Sequence, residues 1–172
     1  MNKKCIMIAC AFFVAVALQA KVSLPAFFSD GMVMQQQSQA SLWGKASKGK
    51  IVEVTTGWDG QTYTTRADEQ GKWKLTVQTP AAGGPYDITF DDGERTRIKD
   101  ILMGELWICS GQSNMEMPMK GFKNQPVEDA NMDVLRSRNS QIRLFTVKRN
   151  SQFAPVDDVT GCWNHAEPKT VR

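Results

Sequence analysis

The chain has 172 residues, 41% of them apolar and 23% charged, with a formal net charge of +3. That length suits one ordinary domain or two small ones. Removing Lys3 and Lys4 from the 21 basic residues leaves 19 against 18 acidic ones; a net +1 gives no electrostatic reason to expect nucleic acid or an anionic membrane surface as a partner.

Residues 1–20 read as a secretion leader. Lys3 and Lys4 form a positive n-region, and residues 6–18 an apolar h-region too short to span a bilayer comfortably. Cleavage fits after Ala17, where Ala15-Val16-Ala17 obeys the small-x-small pattern, or after Ala20. The protein is therefore expected to be secreted or periplasmic, with no membrane attachment once the leader is gone. The competing reading is an uncleaved N-terminal anchor. A lipoprotein would need Cys5 or Cys10 to be acylated, and the apolar stretch before either is too short. After cleavage two cysteines remain, Cys109 and Cys162. An oxidising compartment permits a disulfide between them, while Cys109, inside an apolar run, also suits the role of an inert small hydrophobe. Neither has a partner cysteine at metal-ligand spacing, so no metal is expected.

Residues 21–100 read as all-β. The runs 51–55, 61–65, 73–77 and 86–90 alternate in polarity and are separated by turn dipeptides: Asp30-Gly31, Asp59-Gly60, Gln70-Gly71, Gly83-Gly84 and Asp92-Gly93. Asp-Gly between alternating runs predicts a tight hairpin with positive φ at both central residues. Short strands with regular turns imply a β-sandwich, Ig-like or jelly-roll-like, with a core of Trp43, Val52, Val54, Trp73, Leu75, Val77, Ile88 and Phe90. Trp58, at a hairpin tip, suits either stacking on a sugar or shielding the end of the sandwich.

Near residue 100 the pattern changes. Leu106, Trp107, Ile108 and Cys109 form a continuous apolar run, as in a strand buried on both faces of a parallel sheet, and the run breaks into Ser110-Gly111-Gln112-Ser113-Asn114. In open α/β sheets the ligand crevice lies at such strand ends. Residues 126–138 read as a helix, with Pro126 in its first turn, Glu128 and Asp129 at the positive end, Arg136 and Arg138 at the negative end, and a stripe of Val127, Ala130 and Val134. Residues 142–147 read as a second strand and residues 151–172 as surface loop. Strand, helix, strand is one crossover unit, which cannot build a doubly wound sheet alone. Residues 101–172 thus read as the incomplete start of an α/β domain, expected to be labile beside a self-sufficient sandwich.

Gly111-Gln112-Ser113-Asn114-Met115, preceded by Gly104-Glu105-Leu106-Trp107 and followed by Glu116-Met117-Pro118, resembles the nucleophile block of the sialate O-acetylesterase branch of the SGNH hydrolases. Leu24-Pro25-Ala26-Phe27-Phe28-Ser29-Asp30-Gly31-Met32-Val33-Met34-Gln35, Trp43-Gly44, Gly83-Gly84-Pro85-Tyr86 and Ile142-Arg143-Leu144-Phe145 resemble other stretches of the same branch, in the same order. The resemblance implies an accessory β-sandwich over residues 21–100 and the beginning of an SGNH hydrolase domain over residues 101–172. It also implies a serine esterase acting on an acetylated carbohydrate without metal or organic cofactor. Ser113 matches the nucleophile, its N–H matches one oxyanion donor, and Gly111, Gln112 and Asn114 support the turn. The family's Asp-x-x-His and its glycine and asparagine oxyanion blocks have no match in residues 1–172. His165 is the single histidine, and Cys162, not aspartate, stands three residues before it.

A serine hydroxyl needs a base within hydrogen-bond reach, itself oriented by a third group. His165 serves either as that base or as a solvent-titrating loop residue, and the missing Asp-x-x favours the second role. Glu116 suits a pocket acid or a solvated charge. Met115, Met117 and Met119 suit an adaptable wall beside the substrate or packing under the loop. Asn114 suits a turn-fixing side chain more than a substrate contact. Two further readings stay open: a non-catalytic carbohydrate-binding module, and an acetyl esterase for plant polysaccharide. Composition leaves the oligomeric state open. On the leader reading, N-terminal sequencing of exported protein is expected to find Leu18 or Lys21; intact Met1 on soluble exported material would count against cleavage.

Overall fold

The computed structural model describes residues 21–171; the leader, residues 1–20, lies outside the described residues. In chain order the first strands are β1 (Val33–Gln35), β2 (Gln39–Lys45), β3 (Ile51–Thr56), β4 (Thr62–Arg66), β5 (Lys72–Gln78), β6 (Gly83–Asp91) and β7 (Arg95–Gly104). Five of them make a mixed sheet in the order β1-β7-β6-β3-β4, and β2 and β5 pair separately as an antiparallel ribbon. Period-two alternation puts Val52, Val54 and Thr56 of β3 inside while Ile51 and Glu53 face out. Leu42, Trp73 and Val77 of the ribbon join Val52, Val54, Ile88 and Phe90 of the sheet in one buried cluster. The ribbon therefore packs its apolar face on the sheet. Of the expected core, Trp43 and Leu75 are half-buried at its margin and the rest are inside.

Two turn expectations need correction. In Asp59-Gly60 and Asp92-Gly93 only the glycine has positive φ. The β3–β4 connection is longer than a two-residue hairpin, and Asp59 organises it with its side chain: Oδ1 accepts from the Thr56 hydroxyl at 2.5 Å and from the Gln61 N–H at 3.1 Å. Gly83-Gly84 is not a turn at all but the start of β6. Gly84 has φ +121°, and a Cβ there would stand 2.6 Å from the Ile101 carbonyl oxygen, so glycine permits a close approach of two strands.

The long strand β7 pairs parallel with β1 and antiparallel with β6. Its register with β6 jumps: Tyr86 faces Ile101 and Ile88 faces Ile98, two residues against three. The extra residue is a bulge, and Asp100 in it has the left-handed φ of 57°. The bulge lets Ile98 and Ile101 both point into the core, an odd separation that regular pleating forbids.

Beyond Gly104 the chain departs from expectation. Residues 106–109 form no strand; Trp107 is 81% exposed, Ile108 91%, and Cys109 is also exposed. No strand among the described residues offers them a partner, so an apolar run suited to a sheet interior is left uncovered. The remaining elements are α1 (Ser113–Glu116), β8 (Gly121–Phe122), β9 (Gln125–Pro126), α2 (Ala130–Arg136), β10 (Asn139–Phe145) and β11 (Trp163–Ala166). α2 is shorter than the expected 126–138. Pro126 pairs with Gly121 in the β8–β9 ribbon, and Asp129 adopts a left-handed φ of 55° just before the helix. Only Ala130 and Val134, one i,i+4 pair, are buried on α2, while Val127 is exposed. β10 pairs antiparallel with β11, so no parallel crossover unit forms among the described residues, and residues 151–171 are not all surface loop.

The β10–β11 hairpin docks on the first seven strands. Phe27, Phe145 and Trp163 meet with ring centroids 5.2 to 5.6 Å apart. Trp163 Nε1 donates to the Phe27 carbonyl at 2.8 Å, and Trp43 Nε1 donates to the Asp157 carbonyl at 2.8 Å. The Ala26 N–H donates to Asp158 Oδ1 at 2.8 Å, and Lys72 Nζ lies 2.6 Å from Asp157 Oδ2. Residues 143–145 and 157–166 are thus tied to the β-rich core, whereas residues 106–138 and 146–156 are largely exposed. The uniformly labile tail expected from the sequence is not what the contacts describe. Cys109 and Cys162 are both unpaired and exposed, and the buried role expected for Cys109 does not hold.

Limited trypsinolysis is expected to cut first at the exposed Lys120, Lys123, Arg136, Arg138, Lys148 or Arg149, leaving fragments that co-elute on gel filtration. Loss of residues 143–145 or 157–166 from the core fragment would contradict the docking described. A second expectation concerns pH. The hydrogen bond and charge of Lys72 hold the Asp157 carboxyl below its ordinary value, and Asp157 raises Lys72. The carboxylate's contribution is complete above the ordinary aspartate pKa and is lost as pH falls through the lowered one; the ammonium's is lost only as pH rises through its raised value. The difference in melting temperature between the unsubstituted chain and Asp157→Asn should therefore stay constant from about pH 5 to 9 and vanish in acid.

Candidate active site

Ser113 is the first residue of the single-turn helix α1, reached from β7 through an extended, unpaired stretch. The turn is closed by the backbone, with the Met115 N–H donating to the Gln112 carbonyl at 2.9 Å. Gly111 lies close under it: a Cβ there would stand 2.8 Å from Met115 Cγ. As the opening residue of the turn, Ser113 has an N–H outside the intrahelical bonding pattern.

Ser113 lines a cleft of about 630 Å³ together with Ser110, Gly111 and Gln112 on one side and Val147 and Arg149 on the other. Met115 and Glu116 complete it, and the Arg149 guanidinium forms an ion pair with Glu116. Glu116 is therefore engaged at the cleft rather than merely solvated. Arg149 went unnoticed in the sequence; it is remote along the chain and belongs to no motif, so no local signal marks it. Met115 is the one methionine of the expected wall that lines the cleft. Asn114 is exposed and makes no side-chain hydrogen bond among the described residues, so the turn is held without the bond expected of it. Cys109 faces the same cleft.

His165 lies elsewhere, in strand β11 and not in a loop. Its Nε2 is 3.2 Å from Asp100 Oδ2. Asp100 also accepts from Arg143, whose NH2 lies 3.0 and 3.1 Å from its two oxygens. The β7 bulge supplies this arrangement, because the left-handed turn at Asp100 carries the carboxylate off the sheet toward the hairpin. The Arg143 side chain is only 3% exposed. Neither His165 nor Asp100 lines the Ser113 cleft, so the structure assembles no Ser-His pair from the described residues. Trp58 donates from Nε1 to the Gln78 carbonyl at 3.0 Å and packs edge-on against Tyr86, which makes it a shield at the end of the core.

No group of three His, Cys, Asp or Glu side chains able to hold a metal occurs among the described residues. No helix among them is long and apolar enough to cross a membrane.

The longest strand of the β-rich body thus leads to an exposed serine turn on an open cleft, and the chain resembles proteins of one class. The chain is 28% identical over 144 residues to the sialate O-acetylesterase of Mus musculus, covering 78% of this chain and 26% of that protein. It is 29% identical over 143 residues to the sialate O-acetylesterase of Homo sapiens, covering 77% and 27%. A carbohydrate acetylesterase of Xanthomonas citri, known from a crystal structure, superposes with a TM-score of 0.79 at 31% identity, over 88% of this chain and 34% of that one. No family model matches the chain. The chain is a homologue of the sialate O-acetylesterases and spans about a quarter of the length of those relatives.

Asp100→Asn keeps a residue that tolerates the left-handed conformation and removes only the charge. It is expected to lower stability by about 1 kcal/mol, since solvent screens a partly exposed carboxylate. Amide exchange should rise selectively in β10 and β11. An unchanged exchange pattern there would show that the aromatic contacts alone hold the hairpin.

Proposed function

We propose that this chain is the nucleophile-bearing part of a carbohydrate O-acetylesterase of the SGNH type, with Ser113 as nucleophile. The observation that carries the reading is the position of Ser113 at the opening of a turn on a solvent-accessible cleft, within a chain homologous to sialate O-acetylesterases. Residues 21–100 act as an accessory β-sandwich and residues 101–172 begin the catalytic domain. In the reaction, Ser113 Oγ attacks the acetyl carbonyl as a histidine takes its proton. The sugar hydroxyl leaves with that proton, and water then releases acetate from the acetyl-enzyme and restores the serine. The Ser113 N–H is one oxyanion donor. On this reading the histidine, its aspartate and the other donors are not among residues 1–172, as the family resemblance implies. Secretion or export to the periplasm follows from the leader reading.

Among the described residues the one cation on the cleft, Arg149, is paired with Glu116, so the cleft itself does not separate a sialate from a neutral plant polysaccharide. A carbohydrate-binding module without catalysis is the alternative from another class.

Residues 1–172 alone are expected to show no deacetylation above buffer. Loss of a triad member lowers turnover on the order of ten-thousandfold, and each missing oxyanion donor by roughly a hundred- to a thousandfold. In a full-length chain Ser113→Ala should abolish acetate release without lowering the melting temperature, as the residue is exposed. Undiminished activity in Ser113→Ala would remove Ser113 from the mechanism, and equal binding of acetylated and unacetylated sugar without turnover would favour the binding module.

A further inference from the structure

Eight residues separate the end of β7 from Ser113 and its turn, and none of them lies in a strand among the described residues. What sets the direction of this stretch is found at its origin. The parallel ladder between β1 and β7 ends at Gln35 opposite Gly104. One further backbone bond follows, from the Gln36 N–H to the Gly104 carbonyl at 2.9 Å. Past that point, side chains continue what the backbone no longer provides. Gln35 Oε1 accepts from the Leu106 N–H at 2.9 Å, and Gln35 Nε2 donates to Glu105 Oε2 at 3.1 Å. Gln36 Nε2 donates to Glu105 Oε1 at 2.7 Å, while its Oε1 accepts from the Ala82 N–H at 2.8 Å.

We propose that Gln35, Gln36 and Glu105 form a clamp that sets the exit of the Ser113 segment from the β-rich body and thereby positions the nucleophile. The inference rests on the reading of Ser113 as nucleophile. Each amide uses both of its ends, so neither glutamine can flip without putting a donor against a backbone N–H. Glu105 receives one donor on each carboxylate oxygen, which fixes its plane as well as its place. The same bonds hold its carboxyl below the ordinary glutamate range, Gln36 contributing more than Gln35. The clamp therefore remains ionised and intact at neutral pH. Glu105 is exposed and the glutamines are half-buried, so the network contributes little to the core; its effect falls on the direction of the chain that follows. Gln35, Gln36 and Glu105 are positioning residues, acting on the reaction only through the placement of Ser113.

The test uses a full-length, active chain with Glu105→Ala, Glu105→Gln and Gln35→Met, and with Ser113→Ala as the reference. Readouts are kcat and KM for an acetyl ester, the rate of Ser113 labelling by a fluorophosphonate, and the melting temperature. Displacement of a reacting group by about 1 Å can lower a rate by up to on the order of a hundredfold. Glu105→Ala and Gln35→Met are expected to lower kcat and the labelling rate together by roughly tenfold or more, with KM and melting temperature unchanged. Glu105→Gln, which keeps one carbonyl acceptor, should recover part of that loss. Wild-type kcat and labelling in both Glu105→Ala and Gln35→Met would overturn the clamp. So would a fall in kcat that tracks a fall in melting temperature, because that marks a fold effect. Persistent activity in Ser113→Ala would overturn the nucleophile reading instead, and the reference variant keeps the two failures apart.

Discussion

Strand β7 is the constraint on which the rest depends. It is bonded on both edges, parallel to β1 and antiparallel to β6, and buries Ile98, Ile101 and Met103. It is the longest strand among the described residues, and its last three, Leu102, Met103 and Gly104, are held by β1. Three features issue from it. Its bulge at Asp100 reaches out to the β10–β11 hairpin. Its close passage beside Gly84 joins it tightly to β6. Its C-terminal end delivers Glu105, and from there the serine turn. Without that strand neither the hairpin nor the cleft would have a fixed reference.

The bulge shows how a local irregularity serves long-range order. A regular strand would alternate faces through residues 98–101 and put either Ile98 or Ile101 in solvent. Inserting one residue buries both and turns Asp100 outward in a conformation that aspartate tolerates better than most side chains. The carboxylate then meets Arg143 and His165, from two strands more than forty residues further along. Arg143 has little contact with water, and the partly exposed Asp100 carboxylate offsets part of the cost of its burial. The aromatic cluster of Phe27, Phe145 and Trp163 supplies the apolar side of the same junction.

The two halves of the chain differ in how they are satisfied. In the first seven strands the buried apolar side chains gather in one contiguous cluster. In residues 106–156 large apolar side chains stand in solvent, Trp107, Ile108, Leu135 and Phe153 among them. Such exposure goes with a cleft open on one side and with the small share of the relatives' length that the chain spans.

The β-rich body was legible in the sequence because its signals are local. Alternation at Val52 and Val54 or at Trp73 and Val77 records one wet and one dry face, and glycine after aspartate marks a turn whatever its exact type. The break from an apolar run into small polar residues marked the place of the serine turn, but the strand expected to lead into it is not formed. What local pattern cannot carry is pairing. Residues 106–109 have the composition of a buried strand, yet exposure is decided by whether another strand lies beside them. Residues 163–166 looked like loop and became a strand because β10 was there to receive them. The Glu116–Arg149 pair, the Asp100 junction and the glutamine contacts to Glu105 all join residues distant in the chain. Sequence alone thus determined the elements whose stability comes from neighbouring residues, and the tertiary structure decided every feature in which a hydrogen bond or a charge had to find its partner across the fold.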